Sequence, residues 1–452
     1  MTPRSRLRAL SRSELGRRLT VATVASGAIW GAGTLATFAI GVVLARRLGP
    51  EGYGAYGSAI AIVSLLSVPA QLGLPLLATR EVSAAAVTGR SRDIAVLGWW
   101  FVGSVALASV LIASTLRLVA GALPFAPAIA GALATAAWLL PMLALSALGL
   151  GLLRGQDRVV ISQLLDVLVR PLAFLAALLS WPRPVGPSQA IAAQIAAAAF
   201  ITVAALALFF RGLPLTVAGG AERLRGWAAA ALPMTLLEIM RMLEGNYAVL
   251  IAGHATSIAD AGLLRVALAS STLVAIPIFL QSIVIAPFVT RAHTTGATRQ
   301  LTGIIAASTL FMSVTVAAVL LALALLGRWA LPFAFGPGFE GAYAPLMVLG
   351  GNQLLTALLG PNVLLLSMTG HEREVARAFI VSVTAAVAAG LLLTPLFGIA
   401  GTAASMLVAT AIRGIMLNRH ARRSLAVSPS LWGALMLASA PRPAAALRND
   451  PS

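Results

Sequence analysis

Three charges spaced by threes stand in an otherwise apolar stretch of this 452-residue chain: Glu238, Arg241 and Glu244, within LLEIMRMLEGNY. In a helix such spacing puts them on one arc of about 120°, as neighbours able to pair. At about 1.5 Å per residue from the start of the apolar run near residue 228, Arg241 sits about 20 Å in, near the middle of a bilayer. A charge there costs at least about 2.5–3.5 kcal/mol, so it must face a cavity or a partner. Two acids and one base cannot all cancel. One reading is an ion pair that pins neighbouring helices. The other is a binding site in which Arg241 holds a charged ligand while a glutamate tunes or relays charge.

Other charges form smaller groups. Asp166 and Arg170 are spaced i,i+4 with the acid first, the favourable order for an intrahelical pair, and Pro171 predicts a kink beside them. That self-neutralising geometry favours a structural pair, with ion coupling as the alternative. Arg46 and Arg47 close an apolar span. They suit either snorkelling at an interface or receiving a phosphate, and Arg265, at the start of a later span, is a similar candidate. Arg80, Arg90, Arg92, Arg154 and Arg158 form a basic rim of the kind that sets topology and meets anionic lipid.

What is missing narrows the chemistry. There is no cysteine, and all 32 basic residues are arginine. Disulfides, thiolate metal sites and cysteine nucleophiles are thereby excluded. Without lysine there is no Walker A motif, and there is no H-E-x-x-H. The four histidines, His254, His293, His371 and His420, show no metal-ligand spacing. No metal or other cofactor is expected, and ATP hydrolysis is excluded. Energy must come from an ion gradient, the membrane potential or substrate flow.

The elements that must position these residues are read from apolarity. Only 10% of residues are charged and 59% are hydrophobic, so lipid serves as solvent. Apolar runs predict twelve spans, near 20–45, 54–78, 95–118, 128–153, 159–180, 188–210, 228–252, 263–288, 301–326, 342–368, 375–394 and 398–418. A Pro–Gly turn at 395–398 separates the last two. With the N-terminus inside, only Arg46, Arg47, Arg117, Arg183 and Arg328 fall in outer loops, against 23 arginines in inner loops and tails. That asymmetry predicts both termini on the cytoplasmic side. The net charge of +18 therefore marks a membrane face rather than a nucleic-acid surface. The basic first 20 residues precede an apolar stretch too long for a signal peptide. Residues 431–440 are apolar but too short to span, which suits an interfacial or disordered piece.

A shift of 208 residues superposes Gly54 on Gly262, Ala59 on Ala267, Ala61 on Ala269, Leu65 on Leu273 and Pro69 on Pro277. The expected organisation is a basic tail (1–19), an N-lobe of six spans (20–210), a basic connector (211–227), a C-lobe of six spans (228–418) and a basic, then Pro/Ala-rich tail (419–452).

Several segments carry a family likeness. ARRLGPEGYG (45–54), the LGL of 72–74 and Arg80-Glu81 resemble the first helical pair of bacterial polysaccharide-unit flippases. GLLRGQDR (151–158) resembles that family's loop between helices four and five. YAPLMVLGG (343–351), SMTGHERE (367–374) and LLLTPLFGIAGTAAS (391–405) resemble its closing helices. The family belongs to a superfamily that also holds the lipid II flippase and the multidrug extrusion antiporters. The resemblance implies an all-α membrane fold of about twelve helices, in two six-helix lobes around a central cleft lined by the first and seventh helices.

It also implies a non-enzymatic flippase of the bacterial cytoplasmic membrane. Such a protein carries a polyprenyl-pyrophosphate-linked oligosaccharide from the inner to the outer leaflet by alternating access, with the lipid tail left in the bilayer. Membrane lipids, a polysaccharide polymerase and glycosyltransferases are the partners implied. Arginine suits the pyrophosphate because its planar fork bonds two oxygens at once. In that frame Arg241, Glu238, Glu244, Arg46, Arg47 and Arg265 are candidate substrate contacts. The competitors are a drug/cation antiporter, which needs acids without cationic partners, and a polymerase or ligase, which needs a long catalytic outer loop that this chain lacks. A scaffold for envelope enzymes is a further alternative, disfavoured by so much buried charge.

Overall fold

The computed structural model describes residues 3–87, 91–122, 126–182, 185–214 and 224–433. Arg90, Arg183, positions 215–223 of the expected connector and the tail beyond 433 lie outside them. All regular structure among the described residues is helical. The first half comprises α1 Pro3–Gln71, α2 Leu74–Val87, α3 Ser91–Val119, α4 Pro127–Ala136, α5 Leu139–Gly155, α6 Val159–Gln163, a π-helical turn at Leu164–Val169, α7 Arg170–Ser180 and α8 Pro187–Phe210. The second comprises α9 Leu224–Ala255, α10 Ile258–Thr294, α11 Thr298–Phe335, α12 Tyr343–Leu359, α13 Asn362–Met368 and α14 Glu372–Leu425.

Two of these helices are hairpins. Gly49 leaves helical geometry in α1 (φ 66°, ψ 179°), and a methyl on Gly41 would lie 3.5 Å from the Tyr53 hydroxyl. A straight helix would hold those residues about 18 Å apart. Gly398 does the same in α14 (φ 60°, ψ −146°), where the Thr394 and Thr402 hydroxyls meet at 2.8 Å. This is the Pro–Gly turn expected between the last two spans. Elsewhere the expected boundaries move. The run 54–78 is interrupted because Leu72 (φ 54°) and Gly73 (φ 66°) adopt left-handed geometry and end the helix at Gln71. The 14 residues of α2 are then too few to cross a bilayer, which takes about 20. Among the described residues, eight helices are long and apolar enough to cross, or nine if the α4–α5 pair, bent by 42°, is one span.

Apolar character cannot sort inside from outside here, since lipid tails are as apolar as leucine; what small residues add is close helix contact. Ala59, Ala61, Ala190, Ala193 and Ala267 are fully buried, whereas Leu325, Leu392 and Phe397 face outward. The GLLRG segment shows the same logic. Gly151 and Gly155, four apart on α5, make a groove for α2, and the Thr79 and Ser83 hydroxyls donate to their carbonyls at 3.0 and 3.2 Å.

The two halves pack internally and meet chiefly through α1 and α2 on one side and α9, α10 and α11 on the other. The 208-residue shift appears in this contact as a reciprocal pair. A methyl on Gly54 would collide with the carbonyl of Ile258, and one on Gly262 with the carbonyl of Pro50. Position 54 maps onto 262 and 50 onto 258, so a pseudo-twofold axis passes between the crossing arms of α1 and α10. Only glycine permits so close a crossing.

Candidate functional site

Between the halves lies a cavity of about 540 Å³, within the usual range for small-molecule sites. Its described lining carries two cations, Arg170 and Arg265, with the polar side chains of Gln194, Asn246, Asn352 and Gln353, and no carboxylate. The helix hairpin of α1 supplies Thr37, Tyr53 and Tyr56, and α10 supplies Arg265, Ser271 and Thr272.

Arg170 reaches the cavity because of a local defect. Pro171 has no N–H to give to the carbonyl of Val167, four residues earlier, and the chain relaxes into the π-helical turn at Leu164–Val169. Gly33 of α1 packs directly against that Val167 carbonyl, with no room for a side chain. The expected kink is therefore an over-wide turn. Arg170 pairs with Asp166 at 3.0 Å, as its spacing predicted, and donates to the Ser146 hydroxyl at 3.2 Å. Its Nε is buried and has no partner among the described residues.

Arg265 has no carboxylate within ion-pair distance among the described residues. It donates to the Gly57 carbonyl at 3.3 Å, and its guanidinium lies 5.7 Å from the ring centre of Tyr53 and 5.3 Å from that of Tyr56. The Tyr56 hydroxyl donates to Gln194 Oε1 at 2.6 Å, which holds the ring in place. A guanidinium stacked on aromatic faces keeps its charge and most of its N–H donors for a further acceptor.

The remaining sequence candidates fall elsewhere. Arg46 donates to the carbonyls of Phe333 and Ala334, and Arg47 to that of Leu178. These carbonyls belong to the last turns of α11 and α7, where no intrahelical donor remains, so both arginines cap helix C-termini. Glu238 and Arg241 pair loosely at 3.7 Å, and the Arg241 side chain is 65% exposed. They line a second cavity of about 260 Å³ with Gln71 and Arg154, towards the opposite end of the cleft from the Gly49 turn. Glu244 does not join them. It forms an ion pair with Arg413 of α14, whose guanidinium lies 4.6 Å from the Phe379 ring centre. Sequence spacing missed Arg413 because 169 residues separate the partners. It also missed the approach of His371 and His420, whose rings stand 5.0 Å apart. Among the described residues no cluster of three or more metal-ligating side chains forms.

A family model described as polysaccharide biosynthesis protein matches residues 23–293, more than half of the chain. The chain belongs to this family. No curated protein matches its sequence. Solved structures share the fold of this polysaccharide biosynthesis family member. An inward-facing multidrug resistance MATE family transporter of the MOP superfamily is 13% identical over 89% of this chain and 98% of its own, with a TM-score of 0.73. An outward-facing one is 16% identical over 90% and 95%, with a TM-score of 0.61. The lipid II flippase MurJ in an inward closed conformation is 11% identical over 93% and 91%, with a TM-score of 0.68. The polysaccharide biosynthesis family member is therefore a multi-pass membrane protein with the fold of a transporter or flippase.

Proposed function

We propose that the protein translocates a polyprenyl-pyrophosphate-linked oligosaccharide unit from the inner to the outer leaflet of the cytoplasmic membrane by alternating access. The observation that carries this reading is the charge of the central cavity: two arginines, one without an acidic partner among the described residues, and no carboxylate in the described lining. A pyrophosphate spreads its charge over several oxygens and matches guanidinium forks. A drug/cation antiporter would instead present a carboxylate to its ligand. In this reading Arg265 and Arg170 hold the pyrophosphate, while Arg241 and Arg154 at the smaller cavity meet the headgroup first. Residues 20–210 and 228–418 act as six-span lobes joined by 211–227, with both tails cytoplasmic. Polymerase and glycosyltransferases stand downstream and upstream of the transport step.

Purified protein, titrated with farnesyl pyrophosphate and with tetraphenylphosphonium while its intrinsic tryptophan fluorescence is followed, tests the charge preference. The pyrophosphate is expected to bind. Arg265→Ala should weaken it by roughly 10- to 100-fold, the worth of about 1.5–3 kcal/mol for a hydrogen bond to a charged group. Binding of the cation alone would overturn the reading in favour of the antiporter.

A further inference from the structure

Arg265 stands where the cavity meets the closed end of the cleft, and its present partners all belong to the other half of the molecule. Contacts between the halves shut the end bounded by the Gly49 turn, among them Pro50 against Gly338, Phe38 against Phe335 and three more. Gly54 crosses Gly262, Arg46 caps α11, and Arg265 donates to Gly57 while lying against Tyr53 and Tyr56. The first two lie away from the cavity; the third also lines it. Under the 208-residue shift Arg265 falls on Gly57. The same site in the two halves thus holds a guanidinium on one side and, on the other, the glycine that makes room for it. A methyl on Gly57 would lie 2.7 Å from Arg265 Cδ. The bond that Arg265 makes across the halves is a long one to a neutral carbonyl, whereas a phosphate oxygen offers the guanidinium both a hydrogen bond and an opposite charge.

We infer that Arg265 is a ligand-released latch. Bound to Gly57 and the two tyrosines it holds the closed end shut, and an anion reaching it from the cavity draws the guanidinium away and frees the α1–α10 crossing to open. This rests on the anionic-ligand reading above. It assigns one side chain both to holding the ligand and to joining the halves, so that the cleft opens at that end only when loaded. Such coupling needs no separate sensor.

Because the chain has no cysteine, Thr272→Cys in the cavity wall gives a single thiol. In sealed vesicles, a membrane-impermeant maleimide is offered from the side of the Gly49 turn. In the Thr272→Cys parent, labelling is expected to be slow and to accelerate severalfold with farnesyl pyrophosphate. With Arg265→Ala added, it should be fast without ligand and indifferent to it. Gly57→Ala, which crowds the same guanidinium, should also raise the ligand-free rate and stands in if the Arg265 variant does not insert. Ligand-free labelling as slow as the parent in both variants would overturn the latch. Acceleration by farnesyl pyrophosphate that survives in Arg265→Ala would overturn it too, while sparing the pyrophosphate reading. Fast labelling of the variant with no ligand effect on the parent would overturn release by the anion, and the fluorescence titration would then decide separately whether the pyrophosphate reading stands.

Discussion

Four arginines within the spans meet the same cost of charge at depth and answer it differently. Arg170 is neutralised by Asp166 one helical turn away, and Arg241 sits largely exposed beside Glu238. Arg413 is held by Glu244 and an aromatic face, and Arg265 by aromatic faces and a carbonyl. The Glu244–Arg413 pair is the most enclosed, with side chains 25% and 17% exposed. Glu244→Leu should leave a mostly buried guanidinium unpaired and cost about 3–5 kcal/mol, read as a lower thermal midpoint of the purified protein. Adding Arg413→Met should recover most of that loss. Glu238→Gln, which breaks an exposed and loose pair, should cost no more than about 1 kcal/mol. Equal midpoints for Glu244→Leu and the parent would show that this pair does not tie α9 to α14.

At the scale of elements, the reciprocal crossing of α1 and α10 makes an unusually sharp demand. Gly54 and Gly262 each face a carbonyl of the opposite helix at symmetric positions. Gly54→Val and Gly262→Val should therefore impair closure to a similar extent, each at about 1–3 kcal/mol of overpacking. The labelling rate of Thr272→Cys from that side checks this, and a rise in one variant only would contradict the pseudo-twofold contact. The crossing was legible beforehand only as a register, from glycines and prolines matching at one shift. The hairpin turn at Gly398 and the groove-forming GLLRG were legible as well, because glycine and proline act locally. The end of the α1 hairpin at Gln71 was not, since nothing in Leu72 marks it for left-handed geometry.

At the scale of the whole molecule, apolar runs revealed a polytopic chain, the 208-residue shift pointed to two related halves, and the resemblance named its family. Which charges share a cavity was hidden, because that depends on contacts between distant helices. Spacing along α9 grouped Glu244 with Arg241; packing gave it to Arg413 and left Arg265 facing the cavity with no acidic partner among the described residues. Arg46 and Arg47 suited snorkelling and phosphate equally, and the carbonyls they cap, on helices far along the chain, were not legible in their spacing. The central claim is movement of a lipid-linked anion between leaflets. Its most direct test is the sidedness of lipid-linked oligosaccharide in a strain lacking this protein, sorted with a membrane-impermeant glycosidase. Accumulation on the inner leaflet, protected from the enzyme, is expected. Single units piling up accessible at the outer face would contradict it, because flipping would then proceed without this protein.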